Sequence, residues 1–280
     1  MGVYQRRKFV DGVMRSWCIL ATLFAVIPLF SLLAYVLLKG VGGLNWSFFI
    51  ELPKPVGELG GGIGNALLGS FVLLAIASIF GIPVGVFAGV YLSEFGANPF
   101  GKLVRFCADV MSGVPSILIG IFVYTLVVLP MRSPSAFAGG IALGILMLPT
   151  IIRTTEELIK LVPNSLREAG LALGMAKWRV ILRVVLPAGM SGIATGVMLA
   201  IARAFGETAP LLFTAGSYPF WSVHLNKRIS SLPVQIYEYA GSPYEEWHQQ
   251  AWAAALVLVV MVLILNLAAK LLTSSRSHAR

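Results

Sequence analysis

Apolar positions in this chain fall in long blocks separated by short polar segments rich in turn formers. Trp17 to Leu38 runs 22 residues without a charge. As a helix that block is about 33 Å long, enough to cross a hydrocarbon core of ~30 Å. A cleaved signal peptide would instead carry ~7–15 apolar residues ending at a small-residue cleavage site. This block is longer and meets Lys39, which predicts an uncleaved first span. Lys39 to Gly62 reads as a loop, through Gly40, Gly42, Gly43, Pro53, Pro55, Gly57 and Gly60 to Gly62. A second span is predicted within Ile63 to Leu92, with tilt or a kink near Pro83. Phe95 to Val110 reads as a short charged loop, Met111 to Pro130 as the third span and Met131 to Ser135 as a tight connection. Ala136 to Ile152 is the predicted fourth span, with Pro149 near its end, and Arg153 to Pro187 is the longest charged stretch. Ala188 to Ala215 is the predicted fifth span, Gly216 to Gln250 a second loop, and Ala251 to Leu272 the sixth span, followed by a basic tail. The expected fold class is therefore an all-α integral membrane protein with six transmembrane helices. Residues 1–62 would hold the N-terminal segment, the first helix and a loop, 63–272 the transmembrane domain, and 273–280 the tail.

Composition agrees. Of 280 residues, 58% are apolar and 12% charged, and the mean hydropathy is +0.85. A soluble domain is about a quarter charged, so a soluble globular enzyme and a disordered chain are both disfavoured. The net charge of +9 fits either nucleic-acid binding or membrane topology. Its distribution decides. The N-terminus, the 95–110 and 153–187 loops and the tail carry 15 of the 21 Lys and Arg, against Lys39, Lys54, Arg132, Lys227 and Arg228 on the other side. That asymmetry predicts cytoplasmic termini. Cys18 and Cys107 would lie near the reducing face, so no disulfide is expected between them. His224, His248 and His278 fall outside the predicted spans at no metal-ligand spacing.

Few residues carry candidate chemistry. Gly96 to Lys102 spells the G-x-x-x-x-G-K opening of a phosphate-binding loop, but Leu103 stands where Ser or Thr should hold Mg²⁺. No ATPase site is expected here, and any ATP and Mg would be bound by a partner. Ala77, Gly81, Gly85, Gly89 and Ser93 recur every fourth residue, a small-residue row that lets another helix approach closely in lipid. Gly140/Gly144 and Gly192/Gly196 repeat it more weakly. Arg203 and Glu207 are the only charges deep within a predicted span, at i and i+4. Each charge costs on the order of 2.5–3.5 kcal/mol at a helix centre on insertion scales. They are either a buried ion pair locking helices together or the lining of a polar path. An Arg in such a path suits an oxyanion, because its planar fork matches carboxylate or phosphate oxygens. Thr208 and Pro210 follow, and Pro210 frees a backbone carbonyl nearby. Arg153 reads either as a snorkelling interfacial side chain or as a second basic station, with Glu156 and Glu157 beside it as possible ion-pair partners.

The 153–187 loop carries the most specific pattern. Ser165-Leu166-Arg167-Glu168 fits a capping box, and Leu166, Ala169, Leu173, Ala176 and Val180 continue an apolar stripe at helical spacing. One reading is an amphipathic helix resting on the membrane surface. The other is the E-A-A signature of ABC importer permeases, which runs E-A-A, three residues, G, nine residues, I-x-L-P. Glu168-Ala169-Gly170, Gly174, Val184, Leu186 and Pro187 match its spacing, with Gly170 in place of Ala and Val184 in place of Ile.

With these residues the chain resembles permease subunits of bacterial phosphate ABC importers, of the PstA type, from Gly60 to about Leu271. The resemblance also rests on Tyr91-Leu92-Ser93-Glu94, Gly113-Val114-Pro115-Ser116-Ile117, Leu148-Pro149-Thr150, Leu171-Ala172-Leu173-Gly174, Ala202 to Pro210 and Ser231-Leu232-Pro233. Gly206-Glu207-Thr208-Ala209-Pro210 favours PstA over its sister PstC. The resemblance implies a type I importer core of spans two to six, with an accessory first helix, in the bacterial inner membrane. It implies a heterodimer with a PstC-type permease, a PstB-type ATPase dimer and an external PstS-type phosphate-binding protein. Glu168, Ala169, Gly170, Gly174, Leu186 and Pro187 would serve ATPase coupling, and Arg203, Glu207, Thr208 and Arg153 the substrate path. Gly81, Gly85 and Gly89 would pack helices. The aromatic-rich 216–250 loop would either help dock PstS or form an interfacial belt. A permease for another oxyanion (sulfate, molybdate or phosphonate) and, further off, a secondary transporter remain the alternatives.

Overall fold

The computed structural model describes residues 2–58 and 60–277, so His278 and Arg280 of the expected tail lie outside it. Among the described residues the chain is helical, with no strand. Helix α1 spans Val3–Gly40, α2 Trp46–Ile50, α3 Gly64–Phe95, α4 Pro99–Gly113 and α5 Ser116–Met131. Then come α6 (Ala136–Lys160), α7 (Asn164–Ala172), α8 (Lys177–Phe205), α9 (Ala209–Thr214), α10 (Leu232–Ala240) and α11 (Glu245–Ser277). Five of these are long and apolar enough to cross a membrane, or six if α4 and α5 together form one bent span. The all-α multi-span expectation is met.

Several boundaries differ from the sequence reading. Residues 95–110 are not a loop. Asn98 accepts a hydrogen bond from the Gly101 N–H (2.7 Å) and Pro99 starts α4, the expected chemistry of a helix N-terminus. The charges in this segment lie on an amphipathic helix, which the sequence reading mistook for loop polarity. The third span is correspondingly shorter. Val114 takes an extended conformation (ψ 130°) ahead of Pro115, as a residue before proline prefers, and α4 and α5 meet at 109°. The G-x-x-x-x-G-K string lies in the turn from α3 into α4, not in a strand-to-helix loop. The 39–62 and 216–250 loops contain α2 and α10. The fifth span breaks after Phe205, and α9 resumes the helix after three intervening residues. Pro130 and Pro187 each follow a five-residue stretch of widened helical turn, Tyr124–Val128 and Ile181–Val185. A proline lacks an N–H and crowds the preceding turn, and a widened turn relieves both effects.

The centre of the fold is the contact between α3 and α6. They run parallel: Gly81 meets Gly144, Gly85 meets Ile151 and Gly89 meets Thr155. A side chain at Gly85 would sit 2.7 Å from Ile151 Cγ2, and one at Gly89 would sit 2.7 Å from the Ile152 carbonyl. Backbones can approach this closely only where side chains are absent. Leu73, Ala77, Leu143, Met147 and Ile151 fill the core along the same seam, joined by Ala200 and Ala204 of α8. Helix α8 runs antiparallel to α6, with Gly192 against Leu158 and Gly196 against Thr154. A second cluster, including Phe48, Ile63, Phe205, Leu232 and Ala253, ties α2, α10 and α11 to the opposite end. Helix α1 packs on α11 near its C-terminal end, where Tyr35 lies edge-on against Trp252 (5.1 Å) and Gly40 abuts Leu256.

Overpacking a tight helix contact costs typically about 1–3 kcal/mol. Gly85→Leu should therefore lower the thermal midpoint of the detergent-solubilised protein, whereas Gly113→Ala should leave it unchanged, because nothing lies within 4 Å of a Cβ there. Melting curves of the two variants check this.

Candidate functional site

Two groups of charged side chains lie at helix ends. The first gathers where α3 and α6 end. Because these helices run parallel, their unpaired C-terminal carbonyls emerge side by side, and the end of a helix carries partial negative charge. Arg105 of α4 donates to the carbonyls of Gly96 (2.9 Å) and Leu92 (2.7 Å) and through Nε to Glu156 of α6 (2.7 Å). Glu156 is 1% exposed, and Lys160 adds a second cation at 2.5 Å. Arg153 lies 3.7 Å from the same carboxylate and pairs with Asp109 of α4, its Nε 2.8 Å from Asp109 Oδ1. Burying a carboxylate is tolerable only with such compensation.

The 153–187 segment sits directly on this cluster. Pro163, not a capping box, precedes α7; Ser165 lies inside the helix, and no side chain caps its start. The stripe from Leu166 to Val180 is not one helix either. It breaks at Gly174, whose φ of +75° suits glycine, and α8 begins afterwards at Lys177. The two pieces fold back on each other: Gly170 is buried, and a side chain there would meet Val180 at 2.9 Å. Glu168, Ala169 and Gly174 are exposed, beside exposed Leu166, Leu171 and Leu173. Leu186 and Pro187 begin the straight part of α8 beyond the widened turn, away from this exposed face.

The second group surrounds Arg203, in the last turn of α8. Helix α8 ends at Gly206, so Glu207 lies beyond the helix rather than on its face, with its Oε1 3.6 Å from Arg203 Nε. The Arg203 side chain is 55% exposed and that of Glu207 17%. Arg203 borders a crevice lined by Met111, Ser112 and Val114 at the α4–α5 bend, Ile119 of α5, and Leu146, Pro149 and Thr150 of α6. Its volume is about 10 Å³, roughly room for one water. Thr208 stands at the start of α9 without a capping side-chain bond. Arg153 lies one turn beyond Pro149 and Thr150 on α6, with its guanidinium held by Asp109. The structure therefore joins Arg203, Glu207 and Thr208 at one break and assigns Arg153 to the ionic cluster.

Sequence reading missed Arg105, Asp109 and Glu94 as partners. The signal was present: Asn98-Pro99 followed by Leu103, Phe106, Cys107 and Val110 at helical spacing marks a helix that carries Arg105 and Asp109.

Comparison with known proteins fits this architecture. A family model described as the binding-protein-dependent transport system inner membrane component matches residues 81–278. The chain belongs to this family. It is 46% identical over 257 residues to the phosphate transport system permease protein PstA of Yersinia pestis, covering 91% of this chain and 87% of that one. It is 42% identical to PstA of Haemophilus influenzae, covering 95% and 94%. Its fold resembles a solved bacterial ABC transporter involved in the import of the acidic polysaccharide alginate, with a TM-score of 0.66 at 14% identity over 96% of this chain and 99% of that one. Members of this family are multi-pass membrane components of transport systems, and the chain is a transport subunit.

Removing one partner of a buried ion pair costs on the order of 3–5 kcal/mol. Glu156→Ala should therefore lower the thermal midpoint markedly, while Asp109→Asn, at a carboxylate that is 54% exposed, should shift it little. Parallel melts in detergent separate the two.

Proposed function

We propose that this chain is the permease subunit of an ATP-driven phosphate importer in the bacterial inner membrane, with both termini in the cytoplasm. The observation that carries the proposal is its likeness to PstA permeases along nearly the whole chain. The geometry supplies the working parts. The exposed face of α7, with Glu168, Ala169 and Gly174, would dock into a PstB-type ATPase dimer, which binds ATP and Mg. Exposed Leu166, Leu171 and Leu173 give that face an apolar surface for a partner. Closure of the ATPases would move the packed helices as bodies between two arrangements, giving alternating access.

A PstC-type permease would complete the path beside Arg203, whose side chain is half-exposed. Phosphate delivered by a PstS-type binding protein would meet that guanidinium, which offers a planar donor fork to its oxygens. Glu207 would orient Arg203 and weaken its hold, since an anion bound too tightly does not leave. Within this chain the crevice beside Arg203 has room for about one water, so phosphate would reach the guanidinium from the exposed side that a PstC-type permease would cover. Thr208, at the α8–α9 break next to Glu207, would contribute a hydroxyl to the same path.

Labelled phosphate uptake into vesicles holding the complete complex tests the reading, with sulfate and molybdate as competitors. Uptake should require ATP and resist both competitors; ATP-independent uptake, or preference for another oxyanion, would refute it. Arg203→Gln should abolish uptake with the ATPase still bound, and normal uptake by that variant would remove Arg203 from the path. Gly174→Val, forcing a β-branched side chain to positive φ, should weaken co-purification of the ATPase.

A further inference from the structure

Helix α7 exposes Glu168, Leu171 and Ala169 on one side, and its other side is held by the bundle. Arg167 reaches inward from α7 and is 19% exposed. Its guanidinium donates to Glu94 Oε1 through Nε (3.0 Å) and Nη2 (2.8 Å), and Glu94 itself is 7% exposed. The same guanidinium donates to the carbonyls of Ile159 (2.8 Å) and Val162 (2.5 Å), at the end of α6. One side chain thus joins α7 to both members of the central helix pair. Lys177, just past the Gly174 turn, lies 4.4 Å from the ring centre of Phe95, and its Nζ is 3.5 Å from the Glu94 carbonyl. Both flanks of the α7 turn are therefore tied to the last residues of α3.

Resting on the permease reading above, we infer that Arg167 is a positioning residue for energy coupling: it clamps α7 to the ends of α3 and α6, so that displacement of α7 by the ATPase moves the central helix pair. Without the clamp, α7 keeps its packing of Gly170 on Val180 at the start of α8 and the Lys177 contact, but no side chain of α7 itself grips the ends of α3 and α6, and the three residues Leu161 to Pro163 do not form a stiff helical lever. A charge-assisted pair shielded from water holds its geometry better than an exposed one. Its loss should therefore let α7 follow the ATPase while the spans lag.

The test uses the complete complex in proteoliposomes and reads phosphate moved per ATP hydrolysed, a ratio independent of how much complex folds. Arg167→Gln and Glu94→Gln should each retain the ATPase and its turnover but lower the ratio about tenfold or more, and Arg167→Lys should fall between. In a background carrying Cys18→Ser and Cys107→Ser, the two free cysteines, the pair Glu94→Cys and Arg167→Cys should be uncoupled until joined by a short bismaleimide, which should restore the ratio. A wild-type ratio in Arg167→Gln, or a cross-link that leaves the pair uncoupled, would overturn the clamp. So would an Arg167→Gln complex that fails to assemble beside a fully coupled Arg167→Lys. Absence of ATP-driven phosphate uptake by the unaltered complex would instead overturn the permease reading.

Discussion

The close parallel approach of α3 and α6 governs the rest of the molecule. Lipid gives two apolar helices little hydrophobic reason to associate, so contact must come from packing. Gly81, Gly85 and Gly89 supply it by removing the side chains that would hold Gly144, Ile151 and Thr155 away. A parallel pair cannot be joined by a tight turn. The chain must cross back between them, and α4 and α5 do so with a 109° bend at Val114-Pro115. The same arrangement sets an electrostatic problem, because two helix C-termini emerge together. Arg105 and Arg167 answer it by donating to carbonyls of Leu92, Gly96, Ile159 and Val162, with Glu156 and Glu94 balancing their charge. The glycine row and the ionic cluster are thus two consequences of one packing choice.

Much of this was legible in the sequence. Blocks of ~20 apolar residues announce spans because lipid demands that length, and a row of small residues every fourth position announces a packing face because helices repeat at 3.6. The spacing from Glu168 through Gly174 to Pro187 singled out a segment that folds as α7, a glycine turn and the start of α8.

What escaped has a common cause: local patterns compete with contacts that only the fold supplies. Charges in 95–110 looked like loop polarity, yet they are the polar side of α4, and their partners Glu156 and Arg153 lie more than forty residues away. Ser165 to Glu168 satisfied a capping pattern, but Pro163 begins the helix earlier and places Ser165 inside it. Arg153 looked available because Asp109 was not known to face it. Even the Arg203–Glu207 pair was only half legible. Its spacing was visible, but the helix end between the two residues was not, since Gly206 can sit within a span as well as terminate one.

Rigid and yielding parts divide the molecule unequally. The walls of the Arg203 crevice come from the α4–α5 bend and α6 on one side and from α8 on the other. On the first side, Arg105–Glu156 and Arg153–Asp109 bind α4 to α6, so those walls travel together. On the second, α8 leaves the α7 turn through a widened stretch ahead of Pro187 and ends in a break at Gly206. Such interruptions replace regular ladder hydrogen bonds and are where helices bend. The contact between α8 and α6 includes small residues, Gly192 against Leu158 and Gly196 against Thr154, beside an apolar cluster that holds Ile193 with Ile159. Under the alternating access proposed above, the crevice, with room for about one water, would widen by motion of α8 relative to the bound α4–α6 pair. Arg203 stands on the α8 side of that seam, so a shift of α8 would displace its charge relative to Pro149 and Thr150 without breaking the ionic cluster one turn away.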